Sequence, residues 1–294
     1  MLKIEREIAS QPLIWRQAAE VANSIDGALD HGKRLAIIGC GTSYYVGQAM
    51  ASLREAAGQG ETDAFAASEA VLDRDYDAVL AVSRSGTTTE VLTALDRVPP
   101  GVATIAISAT KNSPIPSAAG HAVMMEFADE QSVVQTRFAT ATLALWRVHL
   151  HEPIEPLAAS AEDVLGGPVR QDLDRFNHYV FLGTGWGVGI ANEAALKLRE
   201  AAGAWTESYP AMEYRHGPIS AATSRTLVWG VGPVDGAVLN DAADAGAEII
   251  ESGRDPMVEL VAIQRAAVAL AKARGLDPDE PRHLSRSVVL EGRI

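Results

Sequence analysis

The sequence predicts an α/β chain built as two open, mostly parallel sheets, each flanked by helices in three layers, the second sheet shorter than the first. Three observations carry this. Short continuous apolar runs, such as Ala78–Val82, have the length and composition of strands covered on both faces. Stretches of helical period separate several of them. A strand, glycine turn and helix occur at residues 35–57 and again at 179–202, so one design is used twice.

Taken in order, residues 1–30 form a helical arm, with Ile4, Ile8, Leu13, Ile14 and 18–25 at helix-like intervals and a break at Gln11-Pro12. The first α/β domain is expected over 31–152. Its strands are 35–38, 62–66, 78–82, 102–107 and 122–127, with helices at 45–57 and 89–95 and a long closing helix over 132–150. Glu152-Pro153 and Glu155-Pro156 open a linker, 153–175, holding one helix. The second domain, 176–275, has strands at 179–182 and 226–231, a possible strand at 247–250, and helices at 188–202 and 258–273. It is expected to lack one strand that the first has, and a tail follows over 276–294.

With 294 residues, 47% apolar and 21% charged, the chain has the composition of a soluble globular protein with room for two domains. A formal charge of −13 and no basic run argue against broad nucleic-acid binding, but a local pocket for a small anion is compatible with both. Cys40 is the only cysteine, which rules out an internal disulfide and a thiolate-rich metal site. The charged, amphipathic N-terminus lacks a secretory core and no run approaches a membrane span, so a cytoplasmic location is expected.

In open α/β sheets, ligands bind at the carboxyl ends of strands, and two turns fall there. Gly39-Cys-Gly-Thr-Ser43 ends the first strand, and Ser83-Arg-Ser-Gly-Thr-Thr88 ends the third. The second turn packs four hydroxyls, a guanidinium and a glycine ahead of a helix, which suits a phosphate cradle; helix capping is the plainer alternative. On the helix over 188–202, Glu193, Lys197 and Glu200 stand at i, i+4 and i+7 on one face. Spacing alone is equally that of a solvated charge stripe, but a helix that follows a glycine turn can overlook a pocket. His216, in the loop Glu213-Tyr-Arg-His-Gly-Pro218, is either a surface histidine or an acid–base group.

Together with Glu280-Pro-Arg-His-Leu284, and in this order, these motifs resemble the double sugar isomerase (SIS) domain family over nearly the whole chain. The likeness is to the isomerase half of glucosamine-6-phosphate synthase and to free-standing amino-sugar-phosphate deaminases, isomerases and deglycases. It implies that the sugar phosphate and nearby hydroxyls are held by Gly41, Thr42, Ser43, Ser83, Ser85 and Thr88. Glu193 and Gln135 would lie near the sugar. The resemblance further implies that Glu200 shuttles a proton between C1 and C2 beside Lys197, and that His216 opens the sugar ring from a neighbouring subunit. That makes the expected assembly a homodimer with shared sites.

Three departures point to breakdown rather than amination. Arg286 stands where the synthase carries a Schiff-base lysine, and arginine cannot form that adduct. Arg84 replaces a glutamine of the serine turn and adds a charge-assisted phosphate contact. No glutaminase domain is expected. The reading is an aldose/ketose isomerase of an amino- or amine-substituted hexose 6-phosphate that releases the amine, with no metal or organic cofactor. The alternatives are a fructosamine-6-phosphate deglycase, a simple sugar-phosphate isomerase, and a non-catalytic sugar-phosphate sensor.

Overall fold

The computed structural model describes residues 1–25 and 29–290, so part of the expected arm (26–28) and the last tail residues (291–294) lie outside the described residues. The chain opens with α1 (Lys3–Ala9) and α2 (Gln11–Glu20). The interruption falls at Ser10, whose N–H still bonds back to α1, and Pro12 sits in the first turn of α2, where its missing N–H costs nothing. Two compact units follow from the contacts. One holds Leu13–Gln131, Arg137–Glu155 and the chain from Ser285; the other holds Met1–Pro12, Ser132–Thr136 and Pro156–Leu284.

The unit built on the first sheet contains β1 (Leu35–Gly39), β2 (Thr62–Ala66), β3 (Ala78–Val82), β4 (Ala103–Ser108) and β5 (His121–Met124), all parallel in the order β2-β1-β3-β4-β5. Every residue of β1 and β3 is buried, as their uninterrupted apolar runs require. Alternate side chains serve opposite faces. Ala36, Ile38, Val79 and Ala81 pack with Val91 and Leu95 of α4 (Thr89–Leu95) and Ile115 of α5 (Pro114–Ala118). Ile37 points the other way, to α3 (Thr42–Ala56), where Gly47 lets the helix approach to van der Waals contact. Packed against α3 is α6 (Arg137–His149).

Two expected elements are shorter. The strand expected over 122–127 ends at Met124 and turns into a 3-10 segment, Glu126–Ala128. The helix expected over 132–150 starts only at Arg137. Glu130 accepts the Arg137 N–H at 2.9 Å and fixes the start there, while the Ser132 hydroxyl is bonded instead to Glu7.

After α7 (Glu155–Gly166) comes the second sheet: β6 (His178–Gly183), β7 (Thr206–Pro210), β8 (Thr226–Val231) and β9 (Glu248–Ile250). Its order is β7-β6-β8-β9, all parallel, which repeats β2-β1-β3-β4 with one strand fewer. One face carries α8 (Gly187–Ala202) and α10 (Pro256–Ala273); on the other, Val180, Leu182 and Val228 pack with Val238, Leu239 and Ala242 of α9 (Gly236–Asp244). The edge strand β7 was not expected. Its sequence Thr-Glu-Ser-Tyr-Pro has no aliphatic residue and ends in proline, which only an edge accepts.

Candidate active site

In the first-sheet unit, β1 and β3 are neighbours whose onward connections diverge, so their carboxyl ends flank the topological switch point where α/β sheets bind ligands. Both turns singled out in the sequence begin there. Gly41 caps α3 with φ of 53°, and the Thr42 and Ser43 side chains that follow are buried. Beside them, burial and then the charge of Glu90 push the Cys40 thiol up to about 11, so it is no nucleophile at neutral pH.

The serine turn is tightly built. Gly86 has φ of 65°, and a Cβ there would lie 1.9 Å from the Ser113 hydroxyl, so only glycine fits. Its N–H donates to Ser83 Oγ at 3.1 Å, and the Thr87 N–H donates to Ser85 Oγ at 3.3 Å. Thr88 precedes α4, with its hydroxyl 3.5 Å from that of Ser83. Arg84 is 1% exposed; its guanidinium lies 3.6 Å from the equally buried Glu130 and donates to the Arg286 carbonyl at 2.9 Å. Arg286 in turn bonds through its side chain to the Glu130 carbonyl and the Asp129 carboxylate. The tail thereby lies against the turn: the Ser85 and Thr87 hydroxyls are 3.1 and 2.9 Å from that of Ser287. Neither Thr87 nor Ser287 was singled out from the sequence. Thr87 was legible in the hydroxyl run, whereas Ser287, 200 residues further on, carries no local signal.

In the second-sheet unit, α8 starts directly under the end of β6. A Cβ on Gly183 would stand 2.2 Å from the Gly187 carbonyl, so glycine is what permits this approach. The helix ends at Gly203 in the left-handed conformation, whose N–H returns to Arg199. Along it, Lys197 Nζ is 3.3 Å from Glu193 and 2.5 Å from Glu200. The lysine and Glu193 are fully buried, and Glu200 is 20% exposed. Burial alone would lower the Lys197 pKa, but the two carboxylates outweigh it and hold it above the usual lysine value. The stripe is therefore a buried carboxylate–ammonium–carboxylate row and no solvated surface.

Glu200 lines a cavity of about 770 Å³ whose wall also includes Arg199, Arg274, Glu280, Arg282 and His283. His216 does not line it; it is exposed at the end of the 3-10 segment Ala211–Arg215. Gln135, half-buried in the same unit, has an amide oxygen without a hydrogen-bond partner. Among the described residues no group of three or more His, Cys, Asp or Glu side chains is placed to hold a metal, and no helix is long and apolar enough to cross a membrane.

Residues 28–151 match the family model of the SIS domain. A glutamine–fructose-6-phosphate aminotransferase (isomerizing) of Streptomyces coelicolor is 28% identical over 97% of this chain and 58% of its own length. The counterpart in Bacteroides thetaiotaomicron is 25% identical over 89% of this chain and 52% of its own. The chain thus spans a little over half the length of these curated relatives. The crystal structure of a glucosamine-6-phosphate deaminase from Thermotoga maritima superimposes with a TM-score of 0.83 at 24% identity, covering 98% of this chain and 100% of that one. Tagatose-6-phosphate ketose/aldose isomerase from Escherichia coli does so with 0.78 at 17% identity, over 98% and 96%. Residues 28–151 are thus similar in sequence to the SIS domain, and the chain shares its fold with these solved structures.

Proposed function

We propose that the protein is a phosphosugar isomerase acting on an amino- or amine-substituted hexose 6-phosphate, with release of the amine. The observation that carries this is the buried row Glu193–Lys197–Glu200 opening at Glu200 into a cavity, because a sugar-phosphate sensor has no need of it. Glu200 is the base: it takes the proton from C2 and returns it at C1 through an enolamine, and water then adds to the resulting C2 imine, forming the ketone as the C–N bond breaks and the amine leaves. Lys197 stays protonated beside it and orients the Glu200 carboxylate, a positioning role supported by its burial. The hydroxyls of Ser83, Ser85 and Thr88, with Thr42 and Ser43, take the phosphate. The second sheet, with its repeated strand order, serves as a second and shorter SIS unit. His216 acts in a neighbouring subunit of a homodimer, a reading supported by its exposure away from the Glu200 cavity.

A second reading, a deglycase that releases an amino acid, is favoured by that cavity. Arg199, Arg274 and Arg282 in its wall suit a substituent bearing a carboxylate. One experiment tests the main proposal. In deuterated water the enzyme should exchange hydrogen at C1 and C2 of its hexose phosphate, and Glu200→Gln should cut that rate by about 10²- to 10⁴-fold while ligand binding survives. Binding without any exchange by the native chain would replace the enzyme with a sensor.

A further inference from the structure

At the starts of β6, β7 and β8 a hollow of about 320 Å³ opens in the second-sheet unit. Strand register decides which side of the sheet its polar residues take. His178 lies two residues before Val180, Glu207 pairs with Val180, and Thr226 pairs with His178, so all three share the side on which Val180 packs with α9. The sheet separates them from α8, which carries Glu200. The Thr226 oxygen accepts the Thr223 N–H at 3.0 Å and stands 3.2 Å from His178 Nδ1. Its one hydrogen is free to go to Nδ1, and the ring proton then sits on Nε2. His178 Nε2 and Glu207 Oε2 are 3.1 Å apart, yet neither has an aligned hydrogen-bond partner. A donor and an acceptor are thereby left side by side in the wall, and buried polar atoms are rarely left so. Trp205, in the same wall, is 71% exposed.

We propose that this hollow is a binding site for the ring of a neutral hexopyranose. One sugar hydroxyl can accept from His178 Nε2–H and donate to Glu207 at once, which satisfies both unpartnered atoms. Asn177 and Thr223 supply further polar groups to neighbouring hydroxyls, and the C–H face of the ring covers the Trp205 indole. A single water would satisfy the polar pair but leave the indole bare, and it fills only about 30 Å³. Among the described residues that line the hollow none is Lys or Arg, so it is not built to read a phosphate. It shares no lining residue with the Glu200 cavity and stands independently of the activity proposed there.

The test uses the full chain with methyl α-glucopyranoside and methyl α-galactopyranoside, whose rings cannot open and which carry no phosphate. At least one should bind saturably, with a Kd on the order of 1 mM, and shift the tryptophan emission to shorter wavelength as the exposed indole is covered. Trp205→Ala should abolish both effects. Glu207→Gln should weaken binding by about 10-fold, the worth of one charge-assisted hydrogen bond, with circular dichroism showing both variants folded. If neither glycoside saturates below about 50 mM, the polar pair holds water only and the proposal falls. It falls equally if a glycoside binds but either folded variant holds it as tightly as the native chain, because the ring then sits elsewhere.

Discussion

Replacing Lys197 with methionine removes the cation from between Glu193 and Glu200 while nearly preserving side-chain volume. At 3.3 Å and an effective dielectric near 20, the attraction to Glu193 alone is about 5 kcal/mol, part of which offsets the cost of burying both charges. Without the lysine, a carboxylate with no exposed surface loses its cation, and breaking such a buried pair costs about 3–5 kcal/mol. Against a typical total of about 5–15 kcal/mol, that is a large share. Urea unfolding at pH 7 should show the loss as a lowered midpoint, and Glu193→Gln added to Lys197→Met should recover most of it. The pH dependence has a definite sign. Because the folded-state pKa is raised, the stability it represents is fully present below the ordinary lysine value and is lost as pH rises through the higher, folded one. Native protein should therefore lose this increment in strongly alkaline solution, and Lys197→Met should have none to lose. A variant within about 1 kcal/mol of native at pH 7 would refute the buried row.

Gly183→Ala would place a methyl 2.2 Å from the Gly187 carbonyl, both backbone-fixed, and should cost about 3 kcal/mol in a thermal or urea melt; a neutral result would mean that the turn between β6 and α8 relaxes freely. The Cys40 thiol, raised to about 11 from 9.0, should be alkylated by iodoacetamide at pH 8 about 100-fold more slowly than a free cysteine, because its thiolate fraction falls in that proportion. Labelling at the ordinary rate would show the thiol to be more open than its packing implies.

The legible part of the fold was what local chemistry determines. The strands β1 and β3 stood out because burial on both faces demands unbroken apolar runs, and the turns after them because Gly41 and Gly86 occupy left-handed backbone. Elements set by distant partners were not legible. The start of α6 depends on Glu130 accepting from Arg137, and β7 owes its place to pairing with β6 rather than to its own polar sequence. For the site, i, i+4 and i+7 spacing put Glu193, Lys197 and Glu200 on one face, but only packing decides whether that face meets water.

Arg84 makes the same point about charge. Read along the chain it is a cation among hydroxyls, available to a phosphate; in the structure it is buried against Glu130, 3.6 Å away, and holds the tail through the Arg286 carbonyl. A guanidinium so placed spends part of its field on a carboxylate, and what it contributes to an anion nearby is smaller than its formal charge. In the proposed phosphate site the direct donors of the turn would then be its hydroxyls, which recognise a phosphoryl group by number and direction rather than by net charge. A net charge of −13, which argues against broad nucleic-acid binding, is therefore compatible with the proposed phosphosugar site, because such a cradle depends on local donors and not on the charge of the whole chain.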